Sequence, residues 1–80
     1  MTRAKTKDEK FMIAVYEAVK EEEGKVVDRY EIGTSIGLQA RGVNATCNLL
    51  FQANFLKKMS ATEVTLTERG KRLVLDLLEE

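Results

Sequence analysis

The sequence contains no proline, no histidine and a single cysteine, Cys47. Without proline or any low-complexity stretch, nothing marks a linker. Its 80 residues are one domain's worth of chain, near the lower end of what buries a self-sufficient core. One cysteine excludes an intrachain disulfide and a cysteine cluster for zinc. With no histidine, no glycine-rich phosphate cradle and no acid flanking the cysteine, the usual ingredients of a catalytic site are missing, so neither an enzyme nor a cofactor is expected. Aromatics are scarce, three Phe and two Tyr, so the core must be mostly aliphatic. A small core of that kind often gains stability by association, and a homodimer is expected. Long apolar runs are absent too. Met1 to Lys10 is polar and charged where a signal peptide needs an apolar run, and no stretch is long enough to span a bilayer. A soluble, cytoplasmic protein with no membrane partner is the expectation, and the sequon-like Asn44-Ala45-Thr46 is then a chance match.

The most informative absence is local. Lys and Arg balance Asp and Glu, 13 against 13, for a formal net charge of zero. The balance is uneven along the chain: residues 1–16 carry +2 (four basic, two acidic), 17–31 carry −3 (three, six), 32–62 carry +3 (three, none) and 63–80 carry −2 (three, five). A run of 31 residues without a carboxylate, in a chain that is 32% charged, marks a surface that something negative can approach.

What is present reads as an ordered series of elements. Thr6-Lys7-Asp8-Glu9 has capping-box spacing, and Phe11, Met12, Val15, Ala18 and Val19 follow at helical intervals. The spacing predicts a first helix from roughly Lys7 to Glu23, with Gly24 as its stop and a last turn weakened by Glu21-Glu22-Glu23 at the negative end of the helix dipole. Val26 and Val27 form a short apolar bridge compatible with a brief strand. Asp28 opens a second helix carrying Tyr30, Ile32, Gly33 and Ile36 and stopped by Gly37. A third helix begins near Gln39 with Val43, Cys47 and Leu50 on one stripe, and Asn54 suits the left-handed position that ends it. Phe55 to Met59 and Glu63 to Leu66 are strand-like, joined through Ser60-Ala61-Thr62. Thr67 caps a last helix with Leu73, Val74, Leu77 and Leu78 at three- and four-residue intervals. The expected architecture is mainly α with a small β-hairpin: three helices, the hairpin, then a fourth helix.

Ile32 to Val43 carries the strongest signal. Two helices crossing steeply at a tight turn need a small residue at their closest approach and a residue tolerant of a left-handed backbone in the turn. Gly33 and Gly37 occupy those places, with Ile32, Ile36, Leu38 and Val43 as apolar plugs. This pattern resembles the helix-turn-helix of winged-helix transcriptional regulators of the MarR and PadR kind. Ala53-Asn54-Phe55-Leu56 resembles that family's exit from the recognition helix, with Asn54 in place of a glycine, and Thr65-Leu66-Thr67-Glu68-Arg69-Gly70 resembles its exit from the wing. The match covers roughly Asp28 to Leu78. It departs in having Arg41 as the only cation of the third helix, no arginine at the wing tip, and Leu49 and Phe51 where many relatives are polar.

The resemblance implies one winged-helix domain over residues 1–80, with 1–6 a flexible arm, 28–53 the helix-turn-helix and 55–66 the wing. It implies sequence-specific binding of double-stranded DNA as a small transcriptional regulator, with the third helix in the major groove and the wing on the backbone. The reading face would then be Gln39, Arg41, Asn44, Ala45, Asn48 and Gln52, since Arg pairs with guanine edges and Asn or Gln with adenine. Lys57, Lys58, Ser60 and Thr62 would contact phosphates, and Arg3, Lys5, Lys7 and Lys10 would form an arm on the backbone. Each group has a plainer reading: Asn44, Asn48 and Gln52 as a solvated face, the lysine pair as protection of a strand edge, the arm as a loose tail. Cys47 reads as a small buried hydrophobe. Phe51 reads as extra core, whereas Leu49, off the apolar stripe, suits a partner surface. The alternative function is therefore a winged-helix protein–protein interaction module without DNA binding. No effector ligand can be named from the residues.

Overall fold

The computed structural model describes residues 6–20, 22 and 25–79. The elements are α1 (Lys7–Val19), β1 (Val27–Asp28), α2 (Arg29–Ser35), α3 (Ala40–Gln52), β2 (Leu56–Lys58), β3 (Glu63–Leu66) and α4 (Glu68–Leu78). This is the winged helix-turn-helix, and the hairpin gains a third strand: β1 pairs antiparallel with β3 through Val27↔Val64 and Asp28↔Glu63, giving the order β1-β3-β2. The core is one cluster to which every helix contributes. It includes Phe11, Met12, Val15 and Val19 of α1, Ile32 of α2, Val43, Cys47 and Leu50 of α3, Leu56 of β2 and Val74 of α4.

The expected caps form. The Thr6 hydroxyl accepts from the Glu9 amide while the Glu9 carboxylate accepts from the Thr6 amide. Asp28 takes the amides of Tyr30 and Glu31, and Thr67 that of Gly70. Asn54 adopts φ 64°, with the Asn54 amide on the Phe51 carbonyl and the Phe55 amide on that of Leu50, a Schellman closure of α3. Gly37 has φ 82°, and the Leu38 amide reaches back to the Gly33 carbonyl at 2.8 Å. A Cβ at Gly33 would collide with the Val43 side chain, so this glycine sits at the α2–α3 approach.

Two expectations need correction. α1 ends at Val19, its last buried residue, and Lys20 turns the chain with φ 48°. Continuation to Glu23 would have stacked glutamates on the negative end of the dipole without burying anything more; Glu21, Glu23 and Gly24 lie outside the described residues. In α4, Leu78 is 48% exposed because Val74 and Leu77 already fill the face toward the core. Residues 1–5 of the expected arm lie outside the described residues, and Thr6 belongs to the α1 cap. Among the described residues, no helix is long and apolar enough to cross a membrane.

Candidate nucleic-acid interface

α3 lies with Val43, Thr46, Cys47 and Leu50 buried, which turns Arg41, Ala45, Asn48 and Gln52 to solvent. Their spacing of four, three and four residues keeps them on one stripe, about 16 Å long at the helical rise. The first turn of α3 holds no acidic residue, so the positive end of its dipole is unopposed by its own sequence. A shallow concavity here is lined by Lys7, Gln39, Arg41 and Ala45 together with Gly37, Leu38 and Gly42. The fold thus brings Lys7, on the first turn of α1, beside the start of α3. Lys10 is exposed one turn further along α1 and does not line this concavity, and Arg3 and Lys5 lie outside the described residues.

The remaining residues of the expected reading face are placed less uniformly. Gln39 is the exposed N-cap of α3 but makes no capping hydrogen bond with its side chain. Asn44 is half-buried at the edge of the stripe, where its Oδ1 accepts from the Tyr30 hydroxyl at 3.1 Å and from Arg29 Nη1 at 3.5 Å. Leu49 borders the opposite edge and is 55% exposed.

In the wing, β2 is an edge strand, and Lys57 and Lys58 are both exposed on it. Successive strand residues face opposite sides. Lys58 therefore shares the side of Leu56 and Lys57 faces away, so the pair is not one patch. The loop is closed by side chains. The Ser60 hydroxyl accepts from the Glu63 amide at 3.1 Å and donates to Glu63 Oε1 at 3.2 Å. A carboxylate thereby returns to the wing tip, so the acid-free run of sequence is not an acid-free wing in space. Thr62 is half-buried, and its carbonyl accepts from the Arg29 amide at 2.9 Å and from Arg29 Nε at 3.4 Å.

Arg29 is the residue that sequence reasoning missed. It is only 6% exposed, lies over the Phe51 ring at 5.5 Å, and ties the wing to α3 through Thr62 and Asn44. Its Nη2 finds no hydrogen-bond partner, and among the described residues no carboxylate pairs with it. The signal was present: Arg29, Ile32 and Gly33 stand at helical i, i+3, i+4 spacing, the buried face of α2. Phe51 packs against the core, as expected of it. Cys47 is fully buried; desolvation pushes its thiol above the ordinary value, opposed by the charge of Arg29. This is an inert packing cysteine rather than a poised nucleophile.

Helix-turn-helix, wing and closing helix together define the winged-helix fold. The solved structure of T. acidophilum IdeR shares it, with a TM-score of 0.73 over 91% of this chain at 19% identity. This chain covers 33% of the length of that one. No family model matches the sequence, and no curated protein matches it.

Proposed function

We propose that this domain binds duplex DNA, with the Arg41–Ala45–Asn48–Gln52 stripe in the major groove and the wing on the phosphate backbone. The stripe carries the reading: a solvent-facing row of one cation, two amides and a small residue, without a carboxylate, starting at an α3 N-terminus flanked by Lys7. Arg41 is placed to pair with a guanine edge, and Asn48 and Gln52 with adenine. Lys57 contributes phosphate attraction without sequence preference. The protein acts as a small cytoplasmic transcriptional regulator. With so few cations, one copy binds weakly and with a shallow salt dependence, so the working form is a dimer on paired half-sites.

Fluorescence anisotropy with a panel of duplexes at low salt tests this. Arg41→Ala is expected to weaken binding roughly 5- to 150-fold, mainly at sites with guanine at the contacted position. Lys57→Ala is expected to weaken all duplexes alike and to reduce the salt slope by about one. Binding unchanged in both variants contradicts the reading.

One observation favours a second reading. Leu49 stands exposed beside a groove that also includes Met12, Leu50, Phe55 and Leu73. A protein-interaction module using that surface would associate equally at high and low salt and lose association on Leu49→Glu, with the duplex panel giving no signal.

A further inference from the structure

Arg29 is a cation removed from water, and no described residue supplies it with a counter-charge. It is 6% exposed, its Nη2 is unpartnered, and its remaining contacts are a carbonyl, an amide oxygen and an aromatic face. Buried guanidinium groups are usually matched by an anion. Asn44 stands beside it at the edge of the α3 stripe, on the side where Arg29 also holds the wing through Thr62. Arg29 has donors only, so it decides which way the Asn44 amide faces. Oδ1 points toward Arg29 and Tyr30, accepting from the Tyr30 hydroxyl at 3.1 Å and at longer range, 3.5 Å, from Arg29 Nη1. Nδ2 remains as a donor directed away from them. Adenine recognition by asparagine needs both the oxygen and the nitrogen, and here the oxygen is spent.

We propose that Asn44 is a phosphate contact rather than an adenine reader, with Arg29 as the positioning residue that fixes its amide and places positive charge behind the bound phosphate. This rests on the DNA-binding reading above and gives a role to a residue at the edge of its stripe. A phosphate at Nδ2 brings the missing negative charge close to Arg29, which a base edge does not. The Arg29–Thr62 contacts fix the wing relative to the same point, so one buried side chain sets both the donor and the spacing between α3 and β2–β3.

Three variants test the proposal on the full chain, by anisotropy on the duplex panel and by thermal melting. Asn44→Ala is expected to weaken every duplex by about tenfold, the loss of one hydrogen bond to a charged group, without altering base preference. Asn44→Asp is expected to raise the melting temperature by supplying Arg29 with a carboxylate, and to weaken binding more than Asn44→Ala does. Arg29→Met, close in volume to the arginine stem, is expected to fold and to bind about as weakly as Asn44→Ala; adding Asn44→Ala to it should then change little. If Arg29→Met fails to fold, the two Asn44 variants decide the question. A loss confined to adenine at one position, or an Asn44→Asp chain that melts lower and binds as well as the parent, overturns the proposal while leaving DNA binding intact. A parent chain that binds no duplex overturns both.

Discussion

Gly70→Ala is expected to destabilise the domain by about 2–3 kcal/mol, lowering the midpoint of a thermal melt by roughly 10–20 °C. On helix propensity alone the change should help, since alanine exceeds glycine by about 1 kcal/mol in a helix interior. Packing reverses the sign. A Cβ at Gly70 would collide with the Phe55 carbonyl oxygen and stand 3.0 Å from the Phe55 carbonyl carbon and 3.1 Å from Leu66 Cδ2. The obstacle is backbone, so no rotamer change relieves it. That backbone is also committed: the Phe55 carbonyl accepts the Thr67 amide at 3.2 Å, and the Thr67 hydroxyl donates to the Asn54 carbonyl at 2.7 Å. Moving Phe55 loosens the exit of α3, the exit of the wing and the start of α4 together. Gly42→Ala is the control. Its Cβ would meet only Leu38 Cδ2 at 3.7 Å, an ordinary contact, so this variant is expected to melt higher. Equal melting temperatures for the two variants would contradict the packing described for Gly70.

Phe11→Ala is expected to cost about 3–5 kcal/mol. Phe11 has no exposed surface and lies in the cluster where α1 meets Ile32, Cys47, Leu56 and Val74. Truncation leaves a hole that neighbours on four other elements must collapse to fill. A domain of this size has roughly 4–12 kcal/mol in total, so this one change removes a large fraction of it. Leu49→Ala, by contrast, is expected to stay within about 0.5 kcal/mol, because more than half of that side chain is already in solvent, at 55% exposure. Urea titrations monitored by circular dichroism give both numbers. A large cost for Leu49→Ala would mean that its side chain is already spent on folding and is not available to a partner.

The parts of the fold legible in the sequence are those fixed within a few residues. Thr6, Asp28 and Thr67 advertise caps because a capping side chain reaches amides two or three positions on, and Asn54 and Gly37 advertise left-handed turns for a similarly local reason. What the sequence left open depends on distant partners. β1 becomes a strand only because Val27 meets Val64, and Leu78 stays in solvent because Val74 and Leu77 suffice. The candidate site divides in the same way. The Arg41–Ala45–Asn48–Gln52 stripe follows from helical spacing alone. The glycines of the α2–α3 turn announce that the two helices pack together, but not that Arg29 and Tyr30 meet Asn44 across that packing, which depends on where three side chains from two helices end up. The Ser60–Glu63 closure is different: Ser60-Ala61-Thr62-Glu63 has the spacing of a capping box, so that interaction was readable and bears directly on the charge of the wing tip.

The central claim, that α3 and the wing form a duplex-binding surface, is tested most directly by a ¹H–¹⁵N NMR titration with random-sequence duplex DNA at low salt. Shifts are expected to concentrate at Gln39, Arg41, Asn44, Ala45, Asn48 and Gln52 and along β2 and the loop to Glu63, fading as salt is added. Spectra that do not change, or shifts that gather instead around Leu49, Phe55 and Leu73, would contradict it.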